Sequence, residues 1–333
     1  MQASSPAAKR FAARLLPVLA AIGGLCGLVM LVNPHSLLAA LHGVDGRALL
    51  PVLLLTLAFY LLQGLRWHFL LRHVGVAGRL SDHQLINLAG QTMTAVLPLG
   101  DLTRALLASR SSGVAFGATA ATVTVQELTF SLLVVVAAAP GLARLPGGFI
   151  LMAAVTAAIV AVIAILTVSC LFAAVHRLVA ATPGLRRFAG DIATLRDEVC
   201  RLLGRPGVLA GSLLDLGRVV IATASLLLIL RGLHIDFLSW WDVALVLAVS
   251  SIGGALSLLP GGVGANEASV VAVLVIFGVN PAAAAAVALI QRLSLTLVPA
   301  AGGATAYLIL RRRRPRTLEL HHRTPMEPVC AAA

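Results

Sequence analysis

The sequence predicts an all-α, polytopic membrane protein with inverted repeats: about six full spans plus two stretches broken by proline and glycine. Three observations carry that prediction. Of 333 residues, 59% are hydrophobic and only 11% charged, against roughly half and a quarter in soluble chains. Several apolar runs reach the ~20 residues that cross a bilayer core. A segment near residue 113 also recurs 165 residues further on. The mean hydropathy of +0.98 excludes a soluble enzyme, a disordered chain and a secreted disulfide scaffold, because water does not hold this much apolar surface.

The first run, Leu15–Val32, follows Lys9, Arg10 and Arg14. It is long for a signal peptide and no small-x-small cleavage site follows, so a retained helix is expected. The second, Ala48–Leu65, runs into Arg66, Trp67 and His68, which read as an interfacial stop. Later spans are expected over Val114–Ala139, Phe149–Val175, Val208–Leu230 and Ala282–Leu310. Leu85–Leu99 and Val243–Phe277 are apolar but interrupted by Leu-Pro-Gly-type sequence. Between the spans, Phe188, Ile192, Leu195, Val199 and Leu202 fall on one helical face. Segment 176–205 is therefore read as a cytoplasmic amphipathic helix on the membrane surface, with packing against other helix ends as the alternative. Residues 1–310 form one membrane domain, and 311–333 a basic, disordered cytoplasmic tail that explains itself as a stop-transfer cluster.

The net charge of +12 matters through its placement. Arginines gather around 66–110, 177–205 and 311–323, while Arg47, Arg144 and Arg231 fall at the opposite ends of spans. The positive-inside bias then places both termini in the cytoplasm of an inner-membrane protein. Each broken stretch must enter and leave on one side, as a re-entrant hairpin or as two crossings. The four cysteines show neither metal-ligand spacing nor an oxidising context, so no disulfide, metal or cofactor is expected.

Gly113–Thr129 aligns without gaps on Gly278–Ser294, and upstream Leu97-Pro98 matches Leu259-Pro260. One copy starts inside and the other outside, so the repeats are inverted. Inverted repeats with broken helices at their meeting point are a transporter architecture. Backbone freed by such breaks is tolerated at membrane depth only where protein or a wet cavity satisfies it.

Leu259-Pro-Gly-Gly-Val-Gly-Ala-Asn-Glu267, with the glycine-started alanine-rich helix after it, resembles the lysylphosphatidylglycerol synthase transmembrane, or flippase-like, family. Leu97-Pro-Leu-Gly-Asp-Leu-Thr-Arg104 is similar to that family's first Pro-Gly-acid-x-x-Arg element. The resemblance covers about Ala48–Leu310. It implies a helical domain associated with moving phospholipids, hopanoids or polyprenyl-linked lipids between leaflets. The chain departs from the family pattern at Asn266, where arginine is usual, at Gln126-Glu127, where the family has Glu-Arg, and at Asp101, where it more often has Glu. The short stretch after Arg314 is not expected to form the aminoacyl-transfer domain of the family's two-domain synthases, so lipid aminoacylation is not expected of this chain alone.

The candidate substrate path comprises Asp101, Arg104, Glu127, Pro260, Gly261, Gly262, Gly264, Asn266, Glu267, Gln291 and Arg292. Glu127 and Arg292 occupy the same repeat position deep in the bilayer, where a lone charge is costly. They are expected either to pair across the pseudo-two-fold axis or to line a head-group route. Asp215 and Arg218, spaced i, i+3, are expected to neutralise each other. Asp101 and Asn266 are helix-cap candidates as well as path candidates, and the glycines suit a tight turn.

These residues favour a non-enzymatic lipid translocator or lipid binder, with membrane lipids as partners and no nucleic acid. An integral-membrane enzyme on lipid substrates would need clustered acids, and no Asp-x-x-Asp is present. A membrane subunit holding envelope-lipid biosynthesis proteins is the third reading.

Overall fold

The computed structural model describes residues 34–96, 100–144, 148–182, 184, 186–257 and 259–313. The expected first span Leu15–Val32, the Leu97-Pro98 step and the tail from Arg314 lie outside the described residues. All regular structure among the described residues is helical. Four helical stretches are long and apolar enough to cross a membrane, or five if one sharply bent pair counts as a single span.

In chain order, α1 (Pro34–His42) is short and leads into α2 (Gly46–His73). Then come α3 (Leu80–Val96), α4 (Leu102–Ser112) and α5 (Phe116–Leu142). Next are α6 (Gly148–Thr167), α7 (Ser169–Ala181) and α8 (Ala189–Leu203). The short α9 (Pro206–Ala210) runs into α10 (Ser212–Gly232). The last four are α11 (Trp240–Leu256), α12 (Ala265–Ile276), α13 (Pro281–Arg292) and α14 (Val298–Arg313).

Helices α2 and α10 pack along each other in opposite directions. The Asp45 N–H donates to the Gly232 carbonyl at one end, and Arg66 donates to the Val208 carbonyl towards the other. The Gly43–Gly232 end also holds the start of α11, where Arg144 donates to Ser239. The opposite end holds His73, whose carbonyl accepts from Arg201. Against this frame both broken stretches fold as hairpins. Helices α3 and α4 go in and return at the His73 end, with their tip at Gly100–Asp101. Helices α11 and α12 do the same from the Gly232 end, with their tip at Pro260–Gly264.

The repeat is visible in the backbone. Gly113 and Gly278, equivalent in sequence, have φ values of 76° and 88°, a left-handed conformation that glycine reaches at little steric cost. Each is followed three residues later by the first residue of a helix, Phe116 or Pro281. Helix α5 starts against α8, where Gly117 meets the Asp191 backbone, and α13 starts against α1 at the other end. The two copies therefore run in opposite directions.

Apolar clusters fill both ends: Val52, Leu226, Leu230, Val270 and Leu274 in one, Trp67, Leu70, Ile86, Val125 and Leu202 in the other. Between them along α2 lie buried Thr56, Tyr60, Gln63 and Arg66. This polar layer is where the two tips meet.

Three expectations are corrected. The second span does not stop at Arg66: α2 continues to His73, and Arg66 and Trp67 are 0% exposed. The Trp67 indole N–H donates to Thr122, and Arg66 is held by an acid on α10, so tertiary partners replace the interface. The expected Phe149–Val175 span is broken at Val168, where α6 and α7 meet at 82°. The carbonyl of Leu166 there accepts from Arg196 Nε at 3.1 Å, which satisfies backbone that the bend frees. Finally, the amphipathic segment forms α8 over residues 189–203, and its apolar face, with Val199 and Leu202 buried, packs on α5, the alternative that the sequence left open.

Candidate functional site

Each hairpin tip is fixed by an arginine–carboxylate pair. At the first, Arg104 Nη2 lies 2.8 Å from Glu127 Oε1 on α5. Its Nη1 donates to Asn87 Oδ1 on α3 at 2.9 Å. Arg104 is fully buried, whereas 37% of the Glu127 side chain remains exposed. One guanidinium thus ties both arms of the hairpin to the long helix that follows it.

At the second tip the polarity is reversed. Glu267, on the returning arm α12, lies 3.1 Å from Arg292 Nη1 on α13. Arg292 also donates to the Gly261 carbonyl at 2.8 Å, and Glu267 Oε2 accepts from the Gly264 N–H at 2.6 Å. Carboxylate and guanidinium together satisfy backbone groups that the Pro-Gly-Gly turn leaves free. The turn itself requires glycine at Gly262. Its φ is +65°, and a Cβ there would sit 2.8 Å from the Gly254 Cα.

The expected cross-axis pair of Glu127 with Arg292 is therefore not formed. Equivalent positions in an inverted repeat each meet the hairpin of their own copy, and each already has an opposite charge there. A double-mutant cycle separates the two arrangements. Arg104→Leu with Glu127→Gln should show a stability coupling within about 0.5–3 kcal/mol, typical of residues in contact. Glu127→Gln with Arg292→Leu should be additive. Thermal unfolding in detergent measures both, and the reverse pattern would restore the cross-axis pair.

A cavity of about 350 Å³ lies between the tips, lined by Thr94, Gly100, Asp101, Ser251, Gly254, Ala255, Leu259, Gly261, Gly262 and Asn266. Both hairpins contribute. The cap readings fail here. Asp101 stands at the N-terminus of α4 but makes no cap bond, and instead accepts from Thr94 Oγ1 at 3.3 Å. Asn266 donates to the Ser250 carbonyl and so joins the arms of its hairpin. Of the predicted path, Asp101, Gly261, Gly262 and Asn266 reach the cavity wall. Arg104, Glu127, Glu267 and Arg292 form the pairs behind it. Pro260 belongs to the short turn, and Gly264 starts α12 with its N–H held by Glu267. Gln291 is buried in α13 at 6% exposure, away from that wall.

Sequence reasoning missed most of a further charged cluster in the same polar layer. Asp215 lies 3.0 Å from both Arg66 and Arg218, with all three side chains at most 1% exposed. Thr129 donates to the same carboxylate at 2.9 Å. Arg218 also lies against both Phe59 and Phe130, an edge-to-face ring pair with centroids 4.8 and 4.4 Å from its guanidinium carbon, a cation–π arrangement. The i, i+3 pairing of Asp215 with Arg218 was legible, but Arg66 was not, being 149 residues away. Tyr60 was missed too. Its hydroxyl donates to the Leu295 carbonyl inside a π-helical turn, Leu293–Leu297, directly after Arg292. A lone tyrosine midway along an apolar run was the available signal.

A family model for the lysylphosphatidylglycerol synthase TM region matches residues 15–303. The chain belongs to this family. No curated protein matches it. The family match spans both hairpins and both ion pairs, so the geometry above is this chain's version of the lysylphosphatidylglycerol synthase TM region. The wall of the cavity carries one carboxylate, that of Asp101, and no basic side chain among the described residues.

Proposed function

We propose that the chain is a non-enzymatic lipid translocator of the cytoplasmic membrane, passing a polar head group between leaflets through the cavity between the hairpin tips. The supporting observation is that cavity itself. Two hairpins entering from opposite ends enclose polar space in the middle layer, where Thr94, Ser251, Asn266 and exposed turn backbone replace water around a head group. A head group cannot otherwise cross about 30 Å of hydrocarbon. Candidate cargoes are phospholipids, hopanoids and polyprenyl-linked lipids. Family membership supports a lipid-related role at the coarser level.

The test is reconstitution in vesicles with a fluorescent lipid and an impermeant quencher. The protein should speed exposure of inner-leaflet lipid over empty vesicles, and a protein that moves none of the three lipid classes would refute the proposal.

Orientation belongs to the same proposal. The His73 end carries Arg72, Arg79, Arg110, Arg201 and Arg205, so the positive-inside bias places it in the cytoplasm. In a cysteine-free background, single cysteines at Gly43 and His234 should react with an impermeant maleimide on intact cells. Cysteines at Gly78 and Gly190 should react only after permeabilisation. Labelling of Gly190 from outside would invert the orientation.

A further inference from the structure

We propose that Asp101 is a proton-binding site that couples head-group passage to proton movement; this rests on the translocation reading above. Every other acid in the middle layer is held by arginine: Glu127 by Arg104 at 2.8 Å, Glu267 by Arg292 at 3.1 Å, and Asp215 by Arg66 and Arg218 at 3.0 Å each. Asp101 is not. Its hydrogen bond comes from the Thr94 hydroxyl, and no arginine among the described residues lies within ion-pair distance.

The groups that act on it from the surrounding elements are Tyr60 of α2, Arg104 of its own helix, Glu127 of α5 and Arg218 of α10. Arg104 is paired with Glu127, while Arg218 shares the single carboxylate of Asp215 with Arg66. Tyr60 is committed to the Leu295 carbonyl. From the second hairpin, Ser251 and Asn266 share the cavity with Asp101 without bringing charge. The ionised carboxylate thus has no direct ion-pair partner at membrane depth, a state that calls for a partner or for neutralisation.

A proton supplies the neutral state. Taken from the aqueous side to which the cavity is open, it converts the carboxylate to a carboxylic acid. That group can donate a hydrogen bond to a head-group oxygen, which the carboxylate cannot. Opening to the other side returns the proton to water there and restores the carboxylate. One proton crosses per cycle, and no covalent bond besides O–H is made or broken.

The experiment compares wild type, Asp101→Asn and Asp101→Glu in vesicles that hold a fluorescent lipid and a trapped pH dye. Wild-type rates under opposite pH gradients should differ about tenfold, within the range of typical coupling, with a proton signal in the dye. In Asp101→Asn the ratio of the two rates should fall to one and the dye signal should vanish, while Asp101→Glu keeps both. Infrared difference spectra, wild type minus Asp101→Asn across pH, give a readout independent of transport: a protonated-carboxyl band that the Asn variant lacks. Translocation that ignores the pH gradient, or that follows an imposed sodium gradient instead, overturns the proton site and leaves the translocator reading standing. A titrating Asp101 band in a protein that moves no lipid does the opposite: the proton site holds and the translocator reading falls. Absence of the band at every pH overturns the proton site in either case.

Discussion

Asp215→Asn should be among the most destabilising single changes in the protein. The substitution keeps the side-chain shape but leaves Arg66 and Arg218, both essentially inaccessible, without their shared carboxylate. Removing one partner of a buried ion pair typically costs about 3–5 kcal/mol, and here two guanidiniums lose theirs. The Phe59 and Phe130 rings continue to face Arg218, but the Arg66 guanidinium is left with the Val208 carbonyl and the Ser212 hydroxyl. Thermal unfolding in detergent, with membrane yield alongside, should show a large loss. Asp197→Asn serves as the control. It breaks an ion pair with Arg196 whose acid is 74% exposed, and such pairs contribute little. Equal losses in the two variants would mean that the Asp215 cluster does not hold α2 to α10.

Glu267→Ala should cost a comparable amount, for a different reason. It removes the partner of Arg292 and the acceptor of the Gly264 N–H together. The loss should again be about 3–5 kcal/mol for the abandoned charge, with a further ~1–3 kcal/mol for the unsatisfied N–H. Glu267→Gln should recover part of it, because the amide oxygen can still accept from Gly264. If Glu267→Gln and Glu267→Ala unfold at the same temperature, the turn does not depend on that acceptor.

These two sites mark how far the sequence could be read. The second tip was legible because its chemistry is local: Pro260, three glycines and Glu267 lie within eight residues of one another, and proline and glycine breaks have local causes. The inverted repeat was legible because Gly113 and Gly278 perform the same backbone task in both copies. What escaped depends on contacts distant in sequence. The 82° break at Val168 has no proline or glycine. Its freed carbonyl is satisfied by Arg196, a residue on another helix, so the run Phe149–Val175 reads as continuous. Arg66 followed by Trp67 has the composition of an interfacial stop, and only Asp215, far along the chain, turns it into an interior residue. The repeat register makes Glu127 and Arg292 equivalents but carries no information about partners. Arg104 and Glu267 claim them, and their reversed polarity becomes visible only when the hairpins fold back.

The cavity between the tips is the centre of this account, and blocking it is the most direct test. With Cys26, Cys170, Cys200 and Cys330 replaced, a single cysteine at Ser251, on the cavity wall, can be modified with a bulky methanethiosulfonate in reconstituted vesicles. Leu213, 71% exposed on the outer surface of α10, provides the control site. Modification at Ser251 should abolish lipid translocation, and reduction of the adduct should restore it, while modification at Leu213 leaves the rate unchanged. Full translocation by protein modified quantitatively at Ser251 would show that the head group takes another route.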